Sequence, residues 1–141
     1  MSAQIRTREF QIADYDSAVR LWNRVEGVEI AEGDSKEDLT RYLSRNPGLS
    51  RVAEENGRVV GVVLCGHDGR RGVIYHLAVD PAAQQRGVAR QLVNECLDGL
   101  RLLHLQRALI LVSATNEPGR AFWQRCGWED VPGAMLMGID L

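Results

Sequence analysis

Residues 77–93 read LAVDPAAQQRGVARQLV, and this stretch decides the fold that we predict for the chain. It begins inside VIYHLAV (73–79), a run of strand-forming residues that ends at the turn Asp80-Pro81. After Gly87, apolar residues recur with the spacing of one helix face: Val88, Leu92, Val93, Cys96, Leu97, Leu100 and Leu103. The stretch therefore predicts a strand, a tight loop and a helix that covers a sheet.

The start of this helix has the properties of an anion site. A helix N-terminus leaves backbone N–H groups unpaired and carries roughly half a positive charge. Gly87 and Ala89 keep side chains away from that backbone, while Arg86 and Arg90 add positive charge and no acid occupies the first turn. The loop therefore predicts binding of a pyrophosphate. The chain has no GxxxxGK[ST] loop, and no GxGxxG follows a strand.

Sequence patterns before this stretch predict five elements. They are a strand in IRTREFQI (5–12), a helix in DYDSAVRLWNRVEG (14–27), a helix in DSKEDLTRYLSRNPG (34–48), and two further strands that form an antiparallel meander with the strand at 73–79. Ser35, followed three residues later by Asp38, is the predicted cap of the second helix. The turns Asn56-Gly57 and Asp68-Gly69 separate the strands of the meander.

Three more elements are predicted after the long helix. RALILVSA (107–114) is a continuous apolar run suited to a strand buried on both faces, and Pro118 can begin a short helix that ends at Gly127. AMLMGIDL (134–141) is predicted to be a closing strand. The order of elements indicates a three-layer α+β domain with a mixed sheet.

Composition limits the classes of function. A chain of 141 residues, 45% of them hydrophobic, predicts one domain over 1–141, and the net charge of -2 argues against nucleic acid as a partner. No apolar run approaches the roughly 20 residues that span a bilayer, and the N-terminus lacks the apolar core of a signal peptide, so we expect a cytoplasmic protein with no membrane partner. The three cysteines are odd in number and widely spaced, which predicts neither disulfides nor a metal site.

The charges are unevenly distributed. Residues 14–38 contain eight acidic residues against three basic ones, a local balance of -5, so the rest of the chain is net positive. Such a division suits a molecule that holds an anion on one side and attracts a cation on the other. Taken singly, most of these acids are better explained as parts of solvated helix faces.

Two motifs resemble those of one family. LAVDPAAQQRGVARQLV looks like the acetyl-CoA-binding signature of the GNAT superfamily of N-acetyltransferases, Q/R-x-x-G-x-G/A, with Gln84, Gly87 and Ala89 in register. LVSATNEPGRAFWQRCGWE (111–129) resembles the family's strand, asparagine, short helix and closing glycine-aromatic pair. The order of elements also matches, and the small stand-alone bacterial members, including the YpeA type, are the most similar.

This resemblance implies a GNAT fold, which is a mixed, mostly antiparallel twisted sheet with helices on both faces, and acetyl-CoA as the cosubstrate. In that family the strand equivalent to 73–79 splays from its neighbour and its backbone binds pantetheine. The residues expected to bind the cofactor are Leu77, Val79, Gln84, Gln85, Arg86, Gly87, Val88, Ala89, Arg90, Asn116 and Trp123.

The residues for proton transfer are less obvious. Strict alternation along 73–79 puts Tyr75 on the face where relatives carry a base, and it directs His76 to the opposite layer as a core or rim residue. The acidic segment offers Glu26 and Glu29 as acceptors of a proton through water. Trp123 stands where many relatives have a tyrosine that protonates the leaving thiolate, and an indole cannot act as that acid.

The resemblance implies an N-acetyltransferase that acts on a primary amine, either a small cationic molecule or a protein N-terminus, by direct attack. A GNAT fold that binds acyl-CoA without catalysis, as a sensor or interaction module, is the alternative. A hydrolase that pairs Cys126 or Cys65 with a histidine has no supporting motif. The terminal strand could also pair across a homodimer, as in some relatives.

Overall fold

The computed structural model describes residues 4–25 and 27–141 of the chain. The chain divides into two compact units, Met1–Leu111 and Val112–Leu141. The prediction of one domain over 1–141 stays a prediction. Among the described residues, none of the helices combines the length and the apolar character needed to cross a lipid bilayer.

The first unit is built on a sheet of five strands. The strands are β1 (Arg6–Glu9), β2 (Arg51–Glu55), β3 (Arg58–His67), β4 (Gly72–Val79) and β5 (Ala108–Ile110), and the helices are α1 (Tyr15–Arg24), α2 (Lys36–Arg45) and α3 (Val88–Leu102). The strands lie in sequence order, with β1 to β4 antiparallel and β5 parallel to β4. The predicted mixed, mostly antiparallel sheet is therefore confirmed.

Helices cover both faces of this sheet, as predicted. On one face, Val62 and Leu64 of β3 share a core with Trp22 of α1 and Leu39 of α2. On the other face, a Cβ atom added at Gly61 would lie 3.1 Å from side chains of α3. Alternation along β3 thus separates the two layers, and glycine at position 61 allows α3 to approach the strand closely.

Local signals begin the helices where the sequence predicted. The Ser35 hydroxyl accepts a hydrogen bond of 3.1 Å from the backbone N–H of Asp38 and caps α2. Helix α3 begins directly after Gly87, whose φ is +80°. In the second unit, α4 (Glu117–Arg125) carries Pro118 in its first turn. These signals act through neighbours in sequence, so they can be recognised without the fold.

One predicted strand, at 134–141, is absent, and the strand predicted within 107–114 is present but shorter and less buried than expected. The structure has no strand in residues 112–141, and the large apolar residues of the segment 134–141 are exposed. A strand requires a partner edge as well as suitable residues, and composition alone does not provide one. β5 covers only Ala108–Ile110, which are half-buried, and Leu111 is exposed, so this run is not a strand buried on both faces. The predicted pairing of a terminal strand across a homodimer has no support, because this strand is absent. The homodimer itself stays a prediction.

A buried carboxylate joins β1 to the turn before α1. The guanidinium of Arg8 donates two hydrogen bonds of 2.8 Å to Asp14, one to each carboxylate oxygen. The backbone N–H of Gln11 donates a third, of 2.9 Å. The Arg8 guanidinium is the main reason that the pKa of the Asp14 carboxyl lies below its ordinary value, with the Gln11 bond contributing in the same direction.

We expect Asp14→Asn to lower the free energy of unfolding by about 1–2 kcal/mol at pH 7, because Arg8 loses a bidentate charged partner. The lowered pKa makes this contribution complete above about pH 4 and removes it as the pH falls through the lower pKa of the folded protein. Urea unfolding measured from pH 7 to pH 2 should show the wild type and the variant converging.

Asp98→Asn is the matched control, because Asp98 forms only an exposed pair with Arg101 one helical turn away. Its effect should be below about 0.5 kcal/mol at any pH. Equal effects of the two substitutions would contradict the role of the Asp14 network.

Candidate active site

A bulge interrupts β4 at its centre. Val62 pairs with Ala78 and Leu64 pairs with Tyr75, so one residue of β3 faces two residues of β4, His76 and Leu77. His76 has a φ of +52°, and its carbonyl accepts a hydrogen bond of 2.8 Å from the Trp22 indole of α1. The bulge is thus fixed to the helix layer by a buried donor.

The bulge changes which way the side chains of β4 point. Alternation had predicted that His76 lies on the face opposite Tyr75, and this prediction is wrong. The His76 ring centroid lies 5.1 Å from that of Trp22 and 6.4 Å from that of Tyr75. The extra residue shifts the alternation by one position, so His76 lies on the α1 side together with Tyr75.

His76 is paired with an aspartate from the segment between α1 and α2. Its Nε2 atom lies 2.8 Å from Oδ2 of Asp34, and the two side chains are 19% and 12% exposed. Asp34 is itself held by three bonds: its carboxylate accepts from Ala31 N (3.0 Å), its own N–H donates to the Ala31 carbonyl (3.2 Å), and its carbonyl accepts from the Tyr15 hydroxyl (2.7 Å). Sequence analysis missed this pair, because no spacing rule connects residues 42 positions apart.

Beyond the bulge, no strand among the described residues pairs with the edge of β4 that faces away from β3. β5 pairs with β4 only over Gly72–Ile74, so the residues from Tyr75 to Val79 extend past the end of β5. Leu77 and Val79, both predicted to bind the cofactor, lie in this part of the strand. The Val79 carbonyl accepts a hydrogen bond of 3.1 Å from the Gln84 side chain, which brings two predicted site residues together.

The loop between β4 and α3 adopts an unusual backbone conformation. Gln85 and Gly87 both have positive φ angles, of +62° and +80°. The first helical hydrogen bond runs from Gln91 N to the Gly87 carbonyl, so the backbone N–H groups of Val88, Ala89 and Arg90 precede the helical ladder. Space within 4 Å of the place where a Gly87 Cβ would lie is open. This geometry leaves the N-terminus of α3 accessible to an anion.

Charged side chains surround this loop. Arg90 is exposed, and Arg86 forms an ion pair of 2.6 Å with Glu55 at the end of β2. The hydrogen bond from Arg86 is the main reason that the pKa of the Glu55 carboxyl is lowered. The Glu55 carboxylate therefore positions one guanidinium of the loop.

Asp80 holds the turn that leads into the loop. One carboxylate oxygen accepts from the Ala82 N–H at 3.0 Å, and the other pairs with Arg24 of α1 at 3.0 Å and with Arg58 of β3 at 3.6 Å. Because Asp80 is buried, these partners stabilise its charge. The end of β4 is thereby joined to α1 and β3.

Asn116 and Trp123 belong to the second unit. Oδ1 of Asn116 accepts a hydrogen bond of 3.1 Å from Gly119 N and caps α4. Trp123 is buried and packs edge to face against Phe122 and Trp128, with ring centroids 5.1 Å and 5.2 Å away. Both side chains thus have a structural role in this unit, and their predicted role in cofactor binding stays a prediction.

The acidic residues of 14–38 fall into two groups. Asp14, Asp34 and Asp38 have partners inside the fold, namely Arg8, His76 and the cap of α2. Glu29 is exposed and remains a candidate proton acceptor, while Glu26 lies outside the described residues. Within residues 4–25 and 27–141, no group of three or more His, Cys, Asp or Glu side chains is arranged to hold a metal ion.

Comparisons with known proteins agree with this architecture. The model of the Acetyltransferase (GNAT) family matches residues 13–128. Acetyltransferase SG1711 of Sodalis glossinidius (strain morsitans) is 29% identical over 134 residues, which cover 95% of this chain and 94% of that protein.

Solved structures extend the likeness to the fold. Rv2747 of Mycobacterium tuberculosis, solved in complex with CoA, has a TM-score of 0.70 and 25% identity over 94% of this chain and 76% of that one. A predicted acetyltransferase of Clostridium acetobutylicum, solved with acetyl-CoA, has a TM-score of 0.74 and 16% identity over 96% of each chain. The second of these similarities concerns the fold alone.

We expect Gly87→Ala to lower the free energy of unfolding by about 1–2 kcal/mol, because a Cβ atom disfavours the left-handed backbone at this position. Gly138→Ala is the control: Gly138 also has open space around it, but its φ is not positive. Urea unfolding of both variants tests the loop conformation, and a neutral Gly87→Ala would contradict it.

Proposed function

Because this chain belongs to the GNAT family of acetyltransferases, we propose that it transfers the acetyl group of acetyl-CoA to the nitrogen of a primary amine. One observation carries the proposal: the accessible N-terminus of α3 follows directly after the edge of β4 that β5 leaves unpaired. Acetyl-CoA has a pyrophosphate at one end of its extended pantetheine arm. The arm can pair with unpaired backbone of a strand, and the pyrophosphate can bind the free N–H groups of a helix N-terminus. We assign this function to one domain over 1–141, in the cytoplasm.

The proposed cofactor site follows the chain from β4 to α3. Main-chain groups of Leu77 and Val79 would bind pantetheine, and the backbone from Gln85 to Arg90 would surround the pyrophosphate. The guanidinium groups of Arg86 and Arg90 supply charge there. Gln84 orients the end of the strand through the Val79 carbonyl. Cofactor binding by Asn116 and Trp123 stays a prediction from the sequence.

The acceptor is proposed to be a small cationic amine or a protein N-terminus. Part of the acidic segment (residues 14–38) lies between α1 and α2, and it favours binding of a cation because Glu29 and Glu32 are exposed there. A positive amine would be attracted to this segment, while the negative cofactor would be attracted to the arginines of the loop. The acidic segment thus favours the amine, and the arginines of the loop favour the cofactor.

The proposed reaction is a direct attack of the amine on the thioester. Placing two reactants in register can supply roughly 7–11 kcal/mol of the barrier reduction. The backbone near Leu77, at the bulge, is proposed to stabilise the oxyanion. Tyr75 is proposed to lie beside the reacting groups, and the proton is proposed to leave through water towards Glu26 or Glu29.

Trp123 favours a second candidate function, an acyl-CoA-binding module without catalysis. Its buried indole packs against two aromatic rings and has no acidic proton to give a thiolate. Under this alternative the protein binds acetyl-CoA but leaves every amine unchanged. Turnover therefore distinguishes the two candidates, and binding alone does not.

Acetyl-CoA at ~100 times its dissociation constant should add about 2.7 kcal/mol to the free energy of unfolding and raise the melting temperature by several degrees. ADP and acetate, which each correspond to one part of acetyl-CoA, serve as control ligands. Gly87→Glu should abolish the acetyl-CoA shift, since it places a carboxylate at the proposed pyrophosphate site. Gly87→Ala shares the backbone strain without the charge and should retain a shift. No shift in the wild type at millimolar acetyl-CoA would refute the proposed site.

Turnover is measured as release of the free thiol of CoA with 1,4-diaminobutane and with alanine amide, which models a protein N-terminus. Glu26→Gln and Glu29→Gln should each reduce turnover, most strongly for the diamine, because the cation loses an attracting charge and the proton loses an acceptor. If both variants match the wild type across pH, the acidic segment has neither role.

A further inference from the structure

The strongest unexplained feature of the first unit is the pair formed by His76 and Asp34. A left-handed backbone conformation is uncommon for histidine, and the bulge maintains it with a buried tryptophan donor. Such a conformation persists only where surrounding contacts enforce it, and it is concentrated at functional sites. The result is an imidazole on the α1 side of β4, next to the proposed oxyanion position at Leu77.

The hydrogen bond to Asp34 determines the state of the imidazole. When Nε2 carries the proton that bonds to the Asp34 carboxylate, the neutral ring has its lone pair on Nδ1. Among the described residues, no hydrogen-bond partner occupies Nδ1, and it is not among the fully buried unpaired atoms, so it keeps contact with solvent. An imidazole held in this way by a carboxylate is prepared to accept a proton.

We propose that His76 is the general base of the acetyl transfer and that Asp34 is its positioning residue. This inference rests on the proposed function, and it assigns the proton transfer to a group that alternation along the strand had excluded. The groups that face the ring are the Asp34 carboxylate from the α1–α2 segment, the Trp22 indole from α1 and the Tyr75 phenol of β4 itself. Val63, opposite on β3, adds no charge.

The proton balance of the step is complete. The ammonium form of the amine gives one proton to Nδ1, directly or through one water, and the resulting imidazolium is stabilised by Asp34. The neutral nitrogen then attacks the thioester carbon, the C–N bond forms and the C–S bond breaks. The nitrogen loses a second proton through water to the leaving thiolate, which gives CoA. The imidazolium passes its proton through water towards Glu26 or Glu29, the proposed acceptors, and so to solvent.

His76→Asn tests the base with little disturbance of the backbone, because asparagine tolerates positive φ better than most residues. The chain contains a matched control: His104 also has a positive φ, of +63°, and is exposed at the end of α3. We expect His76→Asn to reduce kcat/KM at neutral pH by about 10²-fold and His104→Asn to leave it unchanged. Both variants should keep the acetyl-CoA melting shift.

The pH profile separates a base from a structural histidine. In the wild type, kcat/KM should fall on the acidic side as the imidazole becomes protonated, and in His76→Asn this limb should move towards the pH at which the amine itself loses its proton. The difference in kcat/KM between the wild type and His76→Asn should therefore become smaller at high pH. A histidine that only stabilised the fold would lower the melting temperature and leave the shape of the profile unchanged.

Asp34→Asn supplies an independent test that does not require His76→Asn to fold. It should reduce kcat/KM about 10-fold and change the shape of the acidic limb, because the imidazole loses the carboxylate that orients it. Wild-type turnover with an unchanged profile in both variants would overturn the inference and leave the proposed function intact. Acetyl-CoA binding without turnover of either amine would overturn both.

Discussion

The hydrogen bond from the Trp22 indole to the His76 carbonyl holds the bulge on which the geometry of the site depends. Trp22 is 1% exposed, so its donor has no water to bind if the carbonyl moves away, and an unpaired buried donor is costly. This constraint keeps two residues of β4 opposite one of β3. It also turns the His76 ring to the layer of α1, where Asp34 meets it. A regular strand would have directed the imidazole towards α3.

The second main property of the site is unpaired backbone, both along β4 and at the N-terminus of α3. β5 is short, so in the part of the chain that the structure describes the second half of β4 is unpaired along one edge. Helix α3 begins at a glycine whose left-handed conformation leaves the first N–H groups accessible. Asp80 joins these two features, because its side chain fixes the intervening turn to α1 and β3. The chain belongs to the GNAT family of acetyltransferases, and we propose that this arrangement binds the acyl donor, since an extended arm and a pyrophosphate need both features.

The acidic segment has a more specific role than its charge suggests. Some of its carboxylates belong to the fold: Asp14 is bound to Arg8, and Asp34 is bound to His76. Others, such as Glu29, remain exposed and contribute to the negative potential of this region. The same short segment thus combines a fixed carboxylate, which we propose positions the base, with free carboxylates that suit a cationic acceptor.

The sequence by itself determined the order of the elements up to α4, the helix starts at Ser35 and Gly87, and the antiparallel meander, because each depends on residues close together in the chain. Alternation along β4 predicted the wrong face for His76, because a bulge adds a residue to the strand and no sequence pattern near it indicates this. Only the tertiary structure decided that Asp34 meets His76, across 42 positions, and that residues 134–141 form no strand. Pairing of distant residues, and of strands with a partner edge, is fixed by packing of the whole chain rather than by local preference.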